Sequence, residues 1–393
     1  MRHNEKLAPG KIRMLDLISF LAGLGQAFFL YIMSSYFQLA AGTGNVGFFY
    51  LVAYSAMLII FLNLAKIVRR IGKSDLFFLA VFLEAAVTLA LLFVSPGFWG
   101  IVLVVVYIIL VSLVWLALDL ILESYSSDRW SGRIRGKYLV LMNAGVFLGP
   151  WASAVVLEKQ GYYGIFLILL VFNLAIGAIG IFALRGVNHR FRGQISVVTI
   201  LKKVEKRKDI SRIFFISFVL EFFYALMIIY APLYLLKLGF NWERIGLIFT
   251  VMLLPFFLQY HIGLLADKRL GEKEMLAGAI ALMGFSTLAI YFITSREIVV
   301  WAAILFATRI GAAAIEVLRD SYFYKRIDGH DVDLINVFRT SRPLGYILAT
   351  AASTLLLLAY PLKSIFILIA LVVFAALWPA LRLDDNKSDR VSV

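Results

Sequence analysis

Residues 99–122 read WGIVLVVVYIILVSLVWLALDLIL, an apolar run whose single charged side chain is Asp119. An α-helix rises ~1.5 Å per residue, so a helix of this length exceeds the ~30 Å hydrocarbon thickness of a bilayer. The run is also longer than the apolar segments that water-soluble domains bury as core helices. The stretch therefore predicts a transmembrane α-helix.

Comparable runs recur along the whole chain. We predict twelve membrane-spanning helices, at residues 14–37, 47–67, 76–95, 99–122, 138–157, 162–184, 213–236, 245–265, 275–294, 298–324, 334–358 and 364–381. Hydrophobic residues make up 62% of the chain and charged residues 16%, against about 45–50% and 25% in soluble domains. The first run has no small-residue cleavage motif after it, so we interpret it as a retained helix and not as a signal peptide. The predicted fold class is an all-α membrane protein.

Residue usage also limits the chemistry. The chain has no Cys, which excludes disulfides and thiolate metal sites. Its four His residues are scattered through the sequence and carry no metal-ligand spacing. A nucleotide-binding GxxxxGK[ST] loop is absent from the sequence, which argues against a pump driven by ATP. We therefore expect neither an enzyme nor a cofactor, and in so apolar a chain the net charge of +14 does not indicate a nucleic-acid partner.

The positive charges predict the orientation in the membrane. If the N-terminus is cytoplasmic, 29 of the 38 Lys and Arg residues fall in inner segments and only five fall in outer loops. Inner loops of membrane proteins are enriched in Lys and Arg. We therefore expect a multi-pass protein of the inner (cytoplasmic) cell membrane, with both termini in the cytoplasm.

A polar segment at residues 185–212 divides the chain in two. It contains the basic stretch LKKVEKRK at 201–208, which is too highly charged to cross the bilayer. We expect this linker to lie on the anionic inner leaflet, and a protein-binding segment is the alternative. The predicted domains are thus residues 1–184, the linker 185–212, and residues 213–393.

The two halves repeat each other in sequence. Ile18-Ser19-Phe20 matches Ile216-Ser217-Phe218 at an offset of 198, and Glu123-Ser124-Tyr125 aligns with Asp320-Ser321-Tyr322 at an offset of 197. Both halves contain six predicted helices that begin on the same side of the membrane. The repeat is therefore parallel and not inverted.

The loop after the eighth predicted helix carries the most specific motif, GLLADKRLGEK at residues 263–273. This loop resembles the cytoplasmic G-x-x-x-D-[RK]-x-x-G-x-[RK] signature of the major facilitator superfamily. The matching residues are Gly263, Asp267, Lys268, Gly271 and Lys273. A glycine permits close helix contact or a sharp reversal, and the aspartate can cap or pair at the membrane face.

The first half departs from this pattern. Its equivalent loop, AKIVRRIGK at 65–73, has Arg69 where the family usually has Asp. The fifth predicted helix contains Gly149-Pro150, which resembles in part a helix-5 element best known from antiporters of the family. That partial likeness favours efflux slightly over uptake.

The resemblance implies two parallel six-helix bundles and alternating access, with the first, fourth, seventh and tenth helices lining a central cavity. The function implied is secondary active transport of a small solute, with proton coupling as one option. A membrane receptor or scaffold on the same fold is the alternative, and a membrane-embedded enzyme is a more distant one. We expect a monomer whose partners are a small-molecule substrate and the bilayer.

Ionisable residues at membrane depth are functional candidates because burying them in lipid is costly. Arg309 lies about eleven residues into the tenth predicted helix, and its role is either to bind a substrate anion or to pair with a buried carboxylate. Glu221, on the seventh, is either a protonatable coupling group or the partner of Arg309. The two are predicted to pair across the cavity. Glu84, on the third helix, is expected to be structural.

Two carboxylate pairs predict an inner gate. Each pair has its members four residues apart at the cytoplasmic end of the fourth or the tenth helix, and arginines lie nearby in sequence. The residues of this predicted gate are Asp119, Glu123, Glu316, Asp320, Arg339 and Arg342. A proton relay through Asp119 and Glu316 is the alternative. Further cavity contacts are predicted at Gln26, Tyr31, Trp115 and Tyr224.

Overall fold

The computed structural model describes residues 9–125, 131–184, 207–266, 271–327 and 332–384. All regular structure in these ranges is helical. The α-helices are α1 (Pro9–Leu30), α2 (Met33–Ala41), α3 (Gly47–Ile71), α4 (Lys73–Leu91), α5 (Phe98–Tyr125), α6 (Ser131–Leu184), α7 (Lys208–Lys237), α8 (Trp242–Leu253), α9 (Gln259–Leu265), α10 (Glu272–Phe292), α11 (Ile298–Lys325), α12 (Val332–Leu356), α13 (Ser364–Ala375) and α14 (Leu377–Leu381).

Ten helical segments of the described ranges are long and apolar enough to span a membrane. One of them, Val140–Leu184, is 45 residues long and leaves helical geometry at Gly161, where φ is 64° and ψ is −162°. It therefore contains the two spans predicted at 138–157 and 162–184. Helix α12 is not among the ten, and it carries Arg339 and Arg342 in its first half. The membrane-spanning all-α class is confirmed, while the count of twelve stays a prediction.

Local breaks within the predicted spans have identifiable causes. The span predicted at 245–265 consists of α8, a 3₁₀ turn at Leu254–Leu258, and α9. Pro255 lies at the start of that turn, and a proline cannot donate the backbone hydrogen bond that would continue an α-helix. The span predicted at 14–37 is similarly divided, because α1 ends at Leu30 and α2 begins at Met33.

The described residues form two compact units. The first unit consists of the described residues within Met1–Gly193 and Asn241–Gly246. The second unit consists of the described residues within Gln194–Phe240 and Leu247–Val393. Helix packing in the first unit depends on small residues: a Cβ on Gly145 of α6 would lie 2.3 Å from the Phe20 carbonyl oxygen of α1. Only glycine permits this approach of the two backbones.

Helix α7 lies deep inside the second unit and is buried along most of its length. It packs against α12 and α11. A Cβ on Gly345 of α12 would lie 2.7 Å from the Glu221 Cβ and 3.0 Å from the Phe218 carbonyl oxygen of α7. The missing side chain at Gly345 therefore leaves room for Glu221 between the two helices.

Turns at equivalent places in the two units share their backbone geometry. Gly42 and Gly239, 197 residues apart, have φ of 67° and 92°. Gly72 and Gly271, 199 residues apart, have φ of 90° and 84° and ψ of 163° and 153°. Residues with a side chain rarely adopt positive φ, so glycine is required at these turns. This agreement supports the predicted repeat.

Candidate functional site

A buried ion pair joins α7 to α11 in the second unit. Arg319 donates from Nη2 to Oε1 of Glu221 at 3.1 Å and from Nη1 to Oγ of Ser217 at 2.7 Å. The Arg319 and Glu221 side chains are only 10% and 8% exposed. Oδ1 of Asp320 lies 3.4 Å from Nε of Arg319.

The same network reaches α12 through Ser217, whose hydroxyl lies 2.8 Å from that of Ser341. The pair therefore has opposite charges in direct contact and polar neighbours on α7 and α12. Removing one member of a buried ion pair typically costs about 3–5 kcal/mol, because the other is left uncompensated. The network thus connects α7, α11 and α12, and loss of one charge of the pair is expected to be destabilising.

Glu316, one turn before Asp320 on α11, has a different environment. Its Oε2 accepts hydrogen bonds from the Tyr224 hydroxyl at 3.1 Å and from Nε2 of Gln259 at 3.2 Å. Both donors are neutral, and among the described residues no Lys or Arg forms an ion pair with it. Protonation would neutralise Glu316 without breaking an ion pair.

Arg309 is a further buried charge of this region. The residue is 2% exposed, and its guanidinium lies over the rings of Phe223 and Tyr224 at 5.3 and 5.1 Å from their centroids. Its Nε has no hydrogen-bond partner, and no described carboxylate lies within ion-pair distance. A cation–π contact contributes about 0.5–2 kcal/mol, while an arginine at membrane depth costs at least ~2.5–3.5 kcal/mol. The two rings therefore compensate the charge of Arg309 only in part.

The structure does not contain the predicted pair between Glu221 and Arg309. Glu221 bonds Arg319, ten residues further along α11, which is ~15 Å along a helix axis. The sequence-based estimate counted residues from the predicted helix ends, and such a count does not give the shift of α7 along α11. Glu221 lies opposite Arg319 and not opposite Arg309.

Several predicted site residues do come together. Tyr224 contacts Arg309 with its ring and donates from its hydroxyl to Glu316, so a single side chain connects the predicted substrate residue with a predicted gate residue. The sequence reasoning missed Ser217, Gln259 and Ser341 and left Arg319 out of the site. Helical spacing could have found part of this, because Ser217, Glu221 and Tyr224 lie four and seven residues apart on one face of α7.

The predicted gate is assembled only in part within the described residues. Asp320 approaches Arg319, whereas Glu316 bonds neutral donors and no arginine. Asp119 is exposed on α5, Arg339 is exposed on α12, and Arg342 is exposed beside the Tyr346 ring. The Glu123 side chain lies outside the described part of the chain. An inner gate that contains all these residues remains a prediction.

The other predicted residues are more dispersed. Gln26 is half-buried on α1, Tyr31 is buried at the turn between α1 and α2, and Trp115 packs against the apolar core of the first unit. A cavity-lining role for these three side chains stays a prediction.

The residues of the loop motif are described in part. Gly271 adopts the positive φ expected of a reversal, Gly263 lies on α9, and Lys273 is half-buried on α10. Asp267 and Lys268 lie outside the described residues. Gly271 thus has a backbone geometry that suits a reversal, and the roles of the motif residues stay predictions.

Comparisons with known proteins agree with this architecture. The family model described as "Major Facilitator Superfamily" matches residues 15–330. The crystal structure of a mutant form of the nucleoside transporter NupG superposes with a TM-score of 0.71 at 14% identity, covering 95% of this chain and 99% of that one. A bacterial homologue of the iron transporter ferroportin, in an inward-facing state, gives a TM-score of 0.73 at 13% identity and covers 95% and 98%. No curated protein matches the sequence. The chain therefore belongs to the major facilitator superfamily and is a multi-pass membrane transporter.

Proposed function

We propose that this transporter is a proton-coupled secondary active carrier of a small solute that works by alternating access. The observation that supports the proposal most strongly is Glu316, a carboxylate inside the second unit that is held by two neutral donors. A buried carboxylate that has no cation in direct contact is costly to ionise, so gain or loss of a proton there changes the local free energy substantially. Such a group can couple a proton gradient to a change of conformation.

The ion pair of Glu221 and Arg319 supplies the structural response in this proposal. Exchange of partners between charges on α7 and α11 is a discrete rearrangement, and Glu316 lies one turn from Arg319 on α11. When Glu316 is charged it competes with Glu221 for the guanidinium, and when it is protonated it does not. The proton would thus set the arrangement of the two helices.

The rest of the proposed mechanism follows the family resemblance. Residues 1–184 and 213–393 would act as the two six-helix bundles that rock about the substrate, and residues 185–212 would lie on the anionic inner leaflet. Both termini would be cytoplasmic in the inner membrane. We favour efflux, because Gly145 and Gly149, in the antiporter-like stretch of α6, pack directly against Phe20 and Ala27 of α1.

The experiment is proton-driven transport in liposomes that contain the purified full chain. Solutes are screened with and without an imposed pH gradient, and Glu316→Gln is compared with the unsubstituted protein. We expect the substitution to abolish accumulation driven by the gradient while exchange of solute at equal pH persists. Because glutamine still accepts the Tyr224 hydrogen bond, the fold should be preserved.

Glu84→Gln is the matched control, since Glu84 is a buried carboxylate on α4 of the first unit. We expect this variant to retain gradient-driven accumulation. If Glu316→Gln accumulates solute normally, coupling through Glu316 is wrong. If Glu84→Gln alone loses accumulation, the coupling group lies in the first unit.

A further inference from the structure

The guanidinium of Arg309 has an unmet electrostatic requirement inside the second unit. The other buried arginine of α11, Arg319, is bonded to Glu221 and Ser217. Among the described residues, Arg309 forms cation–π contacts with two aromatic rings of α7 and no ion pair, and its Nε is unsatisfied. A buried cation without an anion is expected either to be compensated from a distance or to receive an anion during function.

Among the described residues, Glu316 is a carboxylate that can compensate Arg309 from a distance. This carboxylate lies seven residues from Arg309 along α11, or ~10 Å along the axis, and the Tyr224 ring stands between them. Charges at that separation attract each other without sharing a hydrogen bond. The donor groups of Arg309 therefore remain available even if its charge is partly balanced.

We propose that Arg309 is the recognition point for an anionic group on the transported solute, which makes the substrate an organic carboxylate or phosphate ester. This inference rests on the proposed transport function and gives it a substrate class. The planar guanidinium can form two parallel hydrogen bonds to either group. The flanking rings of Phe223 and Tyr224 offer apolar surface for the body of the solute.

Access to this site requires movement. Arg309 lies eleven residues after the start of α11 at Ile298, which is ~17 Å along the helix, and it is 2% exposed. An anion can reach it only when the groups that cover it move apart. Binding would therefore favour an arrangement in which Arg309 is accessible.

The test is anion-dependent stabilisation of the purified full chain in detergent, read as the melting temperature. The probes are benzoate, succinate, glucose 6-phosphate and inorganic phosphate, each at matched ionic strength against sodium chloride. Neutral benzamide and glucose and cationic choline complete the set. We expect at least one organic anion to raise the melting temperature, and its neutral counterpart to have no effect.

Substitutions then assign the effect to Arg309. Arg309→Gln should weaken binding of the active anion by roughly tenfold to a hundredfold, the usual loss for charged hydrogen bonds. Arg309→Lys, which keeps the charge and loses the planar fork, should weaken it less. The control is Arg382→Gln, an exposed arginine beside Trp378 that should bind like the unsubstituted protein.

Two further outcomes decide between recognition and charge balance. If Arg309 only balances Glu316, the double variant Arg309→Gln/Glu316→Gln regains both the stability and the anion response of the unsubstituted protein. If Arg309 binds the anion, the double variant regains stability at most. The double variant also provides the test if Arg309→Gln alone does not fold.

The proposal is overturned if none of the anions acts, if neutral or cationic probes act instead, or if the response survives in Arg309→Gln. A response to inorganic phosphate but to no organic probe would also overturn it, because the site would then bind a free ion. These outcomes are separable from failure of the transport proposal. Anion binding that requires Arg309, without transport in liposomes, would retain the site and reject the carrier. Transport of a cation in liposomes would retain the carrier and reject the anion site at Arg309.

Discussion

The two units of the molecule follow the same helical plan and differ in what they bury. At an offset of 198, Glu221 of α7 corresponds to Gly23 of α1, where a Cβ would lie 2.3 Å from the Met142 carbonyl oxygen. At an offset of 197, Arg319 corresponds to Leu122, which is 4% exposed. The first unit thus has a close backbone contact and an apolar side chain where the second has an ion pair.

This difference indicates what the fold itself requires. A close helix contact built on glycine suffices at this level in the first unit, so the architecture does not depend on an ion pair there. Apolar replacement of a buried ion pair is often neutral or stabilising in proteins. The charges of the second unit are therefore better explained by function than by stability.

The largest effect is expected from a test of the repeat itself. If the repeat is parallel, the turns at Gly42 and Gly239 lie on the same side of the membrane. Cysteines placed singly at Gly44 and Glu243 should both react with an impermeant maleimide from outside in intact cells, against a native background without Cys. Gly193→Cys is the control, and it should react only after the membrane is permeabilised. Labelling of Gly44→Cys and Glu243→Cys from opposite sides would contradict a parallel repeat.

The next largest effect is expected from substitutions of the buried residues in which the two units differ. Arg319→Gln leaves Glu221 buried without its charged partner and should destabilise the protein by about 3–5 kcal/mol. The double variant Glu221→Gln/Arg319→Gln should lose clearly less stability than Arg319→Gln alone. In the first unit, Leu122→Met conserves volume and should cost less than ~1.5 kcal/mol. Thermal unfolding in detergent measures all three. Equal losses for the single and double variants would show that the pair is not coupled.

A smaller effect should appear at the close helix contacts that both units share. Gly145→Ala and Gly345→Ala each place a Cβ within 2.3–2.7 Å of the neighbouring helix, and overpacking of this kind costs about 1–3 kcal/mol. Gly145→Ala should be worse, because its nearest atom belongs to the backbone. Gly278→Ala is the control, since no atom lies within 4 Å of its added Cβ. If Gly278→Ala lowers the unfolding temperature as much as Gly145→Ala and Gly345→Ala do, the packing argument is refuted.

The smallest effect concerns the cytoplasmic loops, where the two halves differ at the family aspartate. The second half retains it as Asp267. When Gly72 is matched to Gly271, the first half has Val68 at that position and Arg69 beside it, so the predicted correspondence of Arg69 with the aspartate is shifted by one residue. We expect Asp267→Asn to reduce transport or stability more than Arg69→Gln, by about 0.5–2 kcal/mol if a helix cap is lost. Transport rates and unfolding temperatures of the two variants test this. Equal tolerance would mean that the motif contributes nothing here.

The sequence predicted the helical membrane class and most of the apolar spans, because apolar length is a local signal. It did not give the partner that Glu221 has in this structure, because the shift of α7 along α11 cannot be counted from the predicted helix ends. Side-chain partners between helices depend on rotation and depth, which a single sequence fixes only loosely. Gln259 was missed for a related reason, because the 3₁₀ turn after Pro255 changes the face of the helix that follows it.

Gly161 has a consequence for how the protein is made. Residues 140–184 form an apolar stretch in which only this glycine and the exposed Glu158, Lys159 and Gln160 mark a reversal. If the chain did not reverse here during insertion, the stretch would contribute one membrane crossing instead of two. Every later segment would then face the wrong side of the membrane, and the basic linker at 185–212 would be placed outside. The positive φ of one residue therefore helps decide the orientation of the entire second half.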